Sequence, residues 1–268
     1  MLPQTQRIHY TLRIAAAMCF IGHGAFGIIT KAVWCNYFAI FGIGKSMAYQ
    51  IMPFVGIMDI LLGILLLIKP VRAIAVWLVV WGLATALCRP LSGEPFAEFL
   101  ERAGNYGAPF CLLLITGGIK FNLQWLFSTM RADTAEDAKL MGRVKMALQI
   151  TAFLLLAGHG WLNLLHKPAL LQQYASLGFS NPVNISILAG IFEIMAAIAL
   201  LVKPARPLIV VFLVWKIGTE FFYPHFELFE WIERGGSYGT LLALWLSLAP
   251  RAGKVFNRSY QNRMITGN

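Results

Sequence analysis

Long apolar runs separated by short basic or glycine-rich breaks organise this chain, and eight of them approach the roughly 20 residues that a helix needs to cross a bilayer core. They lie near residues 14–30, 51–68, 73–88, 104–119, 146–165, 184–202, 207–223 and 236–249. Apolar segments of this length predict helices, because a helix satisfies its own backbone polar groups where water is absent. Lys69-Pro70-Val71-Arg72 and Lys203-Pro204-Ala205-Arg206 read as tight basic turns, each proline stopping one helix before the next begins. The pattern therefore predicts an all-α, polytopic membrane protein of eight transmembrane helices.

The runs also repeat. Gly22-His23-Gly24 is answered by Gly158-His159-Gly160, Asp59 by Glu193, each Lys-Pro-x-Arg turn by the other, and Glu98-Phe99-Leu100-Glu101-Arg102 by Glu230-Trp231-Ile232-Glu233-Arg234. Order and spacing are kept throughout. The expected organisation is a first four-helix repeat over 1–119, a cytoplasmic polar linker over 120–145 and a second four-helix repeat over 146–268 with a cytoplasmic tail. Four spans per repeat is an even number, so both halves enter the membrane in the same sense and the repeat is parallel.

Composition narrows the class. Hydrophobic residues make up 58% and charged residues only 13% of the 268 positions, about half the roughly 25% charged fraction of soluble domains. The net charge of +10 does not indicate nucleic acid, because the basic residues punctuate apolar runs instead of gathering on one face with aromatics between them. Counted over alternate loops, 15 of the 22 Lys and Arg fall on the side of the N-terminus, linker and C-tail, which predicts a cell (inner) membrane location with both termini cytoplasmic. The first run lacks a cleavage site and reads as a signal anchor. The opposite side carries Glu94, Glu98, Glu101, Glu227, Glu230 and Glu233, so a cation approaching there is expected to meet carboxylates. Cys19, Cys35, Cys88 and Cys111 show no metal-ligand spacing. Cys35 and Cys88 both fall near the outer face, where an oxidising compartment permits a disulfide.

Ionisable groups inside apolar runs point to function, since each is expensive there without a partner or water. His23 and Asp59 sit at similar depth on neighbouring spans, as do His159 and Glu193, so one His–carboxylate pair per repeat is expected. Two glycine-flanked histidines on equivalent helices can also supply axial ligands to a b-type haem, or the glycines can serve close helix packing. Lys216 and Glu220 stand at i and i+4 on one helical face, with Gly82 and Ala86 at the matching places in the first half. They mark either an asymmetric site or an intrahelical ion pair. The two Glu-x-x-Glu-Arg segments read as amphipathic helices lying at the outer interface. Arg102 and Arg234 there can bind an anionic headgroup, a quinone carbonyl or a sulfur oxyanion, with Tyr106 and Tyr238 as hydrogen-bond donors, or can simply pair with their own glutamates.

With its acid in Gly190-Ile191-Phe192-Glu193-Ile194-Met195-Ala196, its small-residue motif in the first span and its Lys-Pro-x-Arg turn, each half resembles the DoxX-like family of four-helix membrane proteins, here in tandem. The resemblance implies that helical fold and an association with sulfur-compound and quinone redox chemistry in bacterial membranes. Three functions are thus expected to compete: a redox-associated protein with a quinone-like or haem cofactor in an outward-facing site between the repeats, a small-solute or ion transporter using the His–carboxylate pairs, and an assembly protein joined to a membrane partner subunit. Motifs of soluble hydrolases and kinases are missing from the sequence.

Overall fold

The computed structural model describes residues 2–120, 122–132, 137–221 and 228–248. Glu227, Asp133, Glu136, the basic C-tail and the last residues of the two final runs lie outside the described residues. Thirteen helices and no strand are found among the described residues: α1 (Gln4–Ile28), α2 (Trp34–Ala39), α3 (Lys45–Ile68), α4 (Arg72–Leu91), α5 (Ala97–Glu101), α6 (Ala103–Ile115), α7 (Leu123–Leu126), α8 (Ala138–Leu164), α9 (Pro168–Ser176), α10 (Pro182–Val202), α11 (Arg206–Phe221), α12 (Leu228–Glu233) and α13 (Gly235–Ser247).

Five of them, α1, α3, α4, α8 and α10, are long and apolar enough to cross a membrane, and these apolar helices mark the chain as an integral membrane protein. Every expected apolar run contains a helix, but α6, α11 and α13 have 13, 16 and 13 residues. A 13-residue helix reaches only about 20 Å. Most of α6 and α13 is buried between other helices, so packing against protein rather than lipid sets their length. Large apolar side chains such as Phe54, Leu188, Met195 and Val214 stay exposed on α3, α10 and α11, as expected of surfaces that face lipid tails.

α1 and α8 form the centre. Each packs on the next long helix of its own half, α1 on α3 and α8 on α10, and each also packs on the short helix of the other half, α12 against α1 and α5 against α8. The glycine before each histidine makes that crossing possible. A Cβ on Gly22 would collide with the Glu233 backbone nitrogen, and one on Gly158 with that of Glu101. The glycine after each histidine serves the partner within the half, since a Cβ there would press on the Gly56 or Gly190 carbonyl.

The two ends of the bundle differ. At the end holding the Lys-Pro turns, Arg13 Nε donates to the Leu66 carbonyl at 2.7 Å and a second guanidinium nitrogen donates to the Leu67 carbonyl. Gln149 does the same for Leu200 and Leu201, at 3.2 and 3.1 Å. A side chain from the central helix thus satisfies the open carbonyls at the end of its neighbour. The segment after α6 docks at this end too: Arg72 donates to Ser128 Oγ at 2.6 Å and to the Thr116 carbonyl at 2.9 Å, and α8 already begins at Ala138. The opposite end carries α2, α5, α9 and α12, all short, and there the polar residues gather.

Candidate functional site

In the first half, His23 Nδ1 lies 2.7 Å from Asp59 Oδ2; in the second, His159 Nδ1 lies 2.7 Å from Glu193 Oε2. Both carboxyls are fully buried, and each ring can donate Nδ1–H to a carboxylate, which leaves Nε2 as the nitrogen that can take up a proton. The two pairs have different surroundings.

The second-half pair is locked in. Trp215 Nε1 donates to Glu193 Oε1 at 2.8 Å, and Asn163 Nδ2 donates to Glu193 Oε2 at 3.1 Å. The Tyr174 hydroxyl donates to Asn163 Oδ1 at 2.8 Å, and Ser186 Oγ donates to the Asn163 carbonyl. On its other side His159 Nε2 faces Glu101 Oε1 at 4.0 Å. Arg234 then joins Glu101 at 3.1 Å to Glu220 at 2.9 Å. The expected ion pair of Lys216 with Glu220 is not formed. Glu220 is taken by Arg234, and the buried Lys216 ammonium has no hydrogen-bond partner among the described residues.

The first-half pair borders a cavity of about 130 Å³. His23 stacks at a tilt on Trp34, with ring centroids 4.7 Å apart. Phe26, Tyr37, Phe38 and Trp81 add aromatic wall, while Arg89, Arg102 and, from the second half, Glu230 and Glu233 supply charge. Gly27 stands where the second half has Asn163 and is packed against the Gly56 backbone, so the first half has no counterpart of the Asn163–Tyr174–Ser186 network. Tyr37 donates to Glu94 at 2.7 Å, and burial together with that acceptor raises its hydroxyl pKa above the ordinary value in spite of Arg89 nearby.

Expected site residues thus divide in two. His23 and Arg102 line the cavity with Asp59 behind them, whereas His159, Glu193, Glu220 and Arg234 are joined in the second-half cluster and Lys216 is buried without a hydrogen bond among the described residues. Tyr106 donates to the Phe99 carbonyl at 3.4 Å, and the Tyr238 hydroxyl is buried without a hydrogen-bond partner among the described residues; neither lines the cavity.

The two Glu-x-x-Glu-Arg segments differ in exposure: Glu98 and Glu101 of the first are buried, whereas α12, which holds most of the second, has no buried residue. Carboxylates at this end are paired with basic side chains. Lys167 holds Glu98 at 2.6 Å, Arg89 holds Glu94 at 3.0 Å, and Arg102 lies 3.6 Å from Glu101. Burial would raise the Glu101 and Glu233 carboxyls. Arg234 and Lys167 outweigh it at Glu101, and Arg102 with His23 at Glu233, so both are held below the usual carboxylate range.

A haem between the histidines does not fit these residues. The flanks that glycine leaves bare are filled by the Glu233, Glu101, Gly56 and Gly190 backbones, so no room remains there for a porphyrin face. All four cysteines are free thiols, Cys35 and Cys88 included.

Trp34, Tyr37, Phe38, Asn163 and Tyr174 belong to these sites and were missed in the sequence. The aromatic-dense stretch Trp34-Cys35-Asn36-Tyr37-Phe38 between two apolar runs, and Asn163 at i+4 from His159, were the available signals. No protein-family model, curated protein or solved structure matches the chain.

Proposed function

We propose that this chain is a multi-pass inner-membrane protein of two parallel four-helix repeats with cytoplasmic termini, and that its first-half cavity holds the ring headgroup of a quinone-class lipid. On this reading the short-helix end faces the outer leaflet. The DoxX-like motifs and the distribution of basic residues support the arrangement. The cavity carries the ligand reading. At about 130 Å³ it is close to the ~150 Å³ that accommodates a benzene-sized ring, its walls are aromatic, and one edge is polar.

In such a site Trp34 and Phe26 would flank the ring. Arg102 would favour negative charge on a ring oxygen, and His23, oriented by Asp59, would take or return its proton. This is the proton-handling part of a redox-associated role. A transporter using both His–carboxylate pairs would need both open to a solute, yet the second is tied down by Asn163 and Trp215, which favours binding. A purely structural role would leave no reason for a charged and aromatic cavity beside His23, whereas the space in the second half is lined mostly by apolar residues such as Val210, Val211 and Val214 and does not reach His159.

Chromatographic analysis of lipids that remain with the purified protein tests the reading. A quinone-class compound is expected at about one per chain, lost in His23→Ala and retained in His159→Ala variants that still fold. Levels no higher than those in protein-free lipid particles would contradict it.

A further inference from the structure

Several polar groups on the cavity wall are already engaged. Tyr37 donates to Glu94 at 2.7 Å, Thr85 donates to the Trp81 carbonyl of its own helix at 2.9 Å, and Arg89 is shared between Glu94 and Glu98 at 3.0 and 3.4 Å. Arg102 and Asn105 differ. Both line the cavity and both are open to it, Arg102 with 15% of its side-chain surface exposed and Asn105 half-buried. Arg102 approaches Glu101 at 3.6 Å and Glu98 at 3.9 Å, beyond hydrogen-bond distance, and neither its guanidinium nor the Asn105 amide makes a hydrogen bond among the described residues. The two stand at i and i+3 at the start of α6, a spacing that sets them on one helical face, and the Asn105 backbone N–H donates to the Arg102 carbonyl at 2.9 Å.

The second half has no such pair. Arg234, at the place of Arg102, joins Glu101 at 3.1 Å to Glu220 at 2.9 Å, and Ser237, at the place of Asn105, is buried where α13 meets α6 at Gly104. Open donors are thus kept beside the cavity and are lost at the equivalent positions. A guanidinium only donates, and the amide nitrogen brings two further N–H groups, so the partner they lack is an acceptor oxygen. Glu98, Glu101 and Glu233 already surround the Arg102 charge, and Glu230 lines the same wall. An entering anion therefore meets carboxylates, whereas an uncharged oxygen meets open donors. We propose that Arg102 and Asn105 are the specificity-determining pair of the first-half cavity, holding the carbonyl oxygen of a ring that enters uncharged and excluding aromatic carboxylates and sulfur oxyanions. The proposal rests on the headgroup reading above and adds which residues hold the ring oxygen and which ligand charge is admitted.

Calorimetric titration of the full chain in lipid nanodiscs tests it with a short-chain benzoquinone, the alkylbenzene carrying the same chain, and benzoate. The quinone is expected to bind the wild-type chain about ten-fold or more tightly than either of the others, the worth of about one hydrogen bond. Asn105→Ser and the equally shaped Asn105→Asp, which has no N–H donor, should each weaken quinone binding about ten-fold or more. Both should leave alkylbenzene binding and the unfolding midpoint without ligand unchanged, because the amide supports no protein contact. Ser237→Ala should leave quinone binding as it is. If the Asn105 variants bind quinone like the wild type, or quinone and alkylbenzene bind alike, the pair is overturned and the headgroup reading survives, with water as the partner of the donors. Benzoate binding as tightly as the quinone overturns the claim about charge. A lowered midpoint in both Asn105 variants makes the amide structural and overturns its role; if only one variant is destabilised, the other decides. If the quinone does not bind the wild-type chain, this proposal and the headgroup reading both fall.

Discussion

At the residue scale, equivalent histidines meet different surroundings, with Asp59 against Glu193 and Gly27 against Asn163. His159 is locked among Glu193, Asn163 and Glu101, and its side chain is 7% exposed, against 16% for His23 at the cavity. Removing one member of a buried charged pair leaves the other without compensation, which typically destabilises by about 3–5 kcal/mol. His159→Ala should therefore lower stability by about that amount, seen as a fall in the thermal unfolding midpoint in detergent. His23→Ala should lower it by clearly less, because solvent can enter the cavity and reach Asp59. Equal losses would mean that the first-half pair is as structural as the second. The polar pairs were legible in the sequence because an acid or histidine in an apolar run stands out. Asn163, Tyr174 and Trp34 were not, since an amide or aromatic in such a run reads equally well as packing.

At the element scale, the short helices α5 and α12 tie the halves together by crossing to the other half's central helix. Gly22→Ala and Gly158→Ala would each drive a methyl into that helix's backbone, and overpacking of this kind destabilises by about 1–3 kcal/mol. Gly142→Ala, with nothing within 4 Å, should be neutral or slightly stabilising, since glycine within a helix is less favourable than alanine by about 1 kcal/mol. Unfolding midpoints of the three variants check this, and a similar response from all three would contradict the crossing. Internal repetition made the equivalence of α5 and α12 readable. It could not reveal which half each one touches, because matched sequences fit an uncrossed arrangement equally well. Helix positions were readable from apolar runs, whereas the shortness of α6 and α13 follows from tertiary burial, to which hydropathy is blind.

At the scale of the whole molecule, charge is balanced across the short-helix end and concentrated as basic residues at the other. Reporter fusions after residue 43 and after residue 131 should report opposite compartments, the second cytoplasmic; the same compartment for both would end the proposed topology. The ion network at the short-helix end also makes stability depend on pH. Glu101 and Glu233 have carboxyls held below their usual range. The stability they contribute is therefore fully present above the unfolded-state value near 4.3 and is lost as pH falls through the folded-state values. The unfolding midpoint should be level from neutral pH down to about 5 and fall below it, with a shallower fall in Glu101→Gln; a fall that the substitution leaves unchanged would assign the acid sensitivity elsewhere.

The central claim is that the first-half cavity is a ligand site and the second-half pair its closed counterpart. A density map of the protein extracted from its own membrane tests it most directly. The account predicts ring-shaped density between Trp34 and Trp81 beside His23, and none beside His159. An acyl tail or water alone in that cavity, or a ligand beside His159, would contradict it.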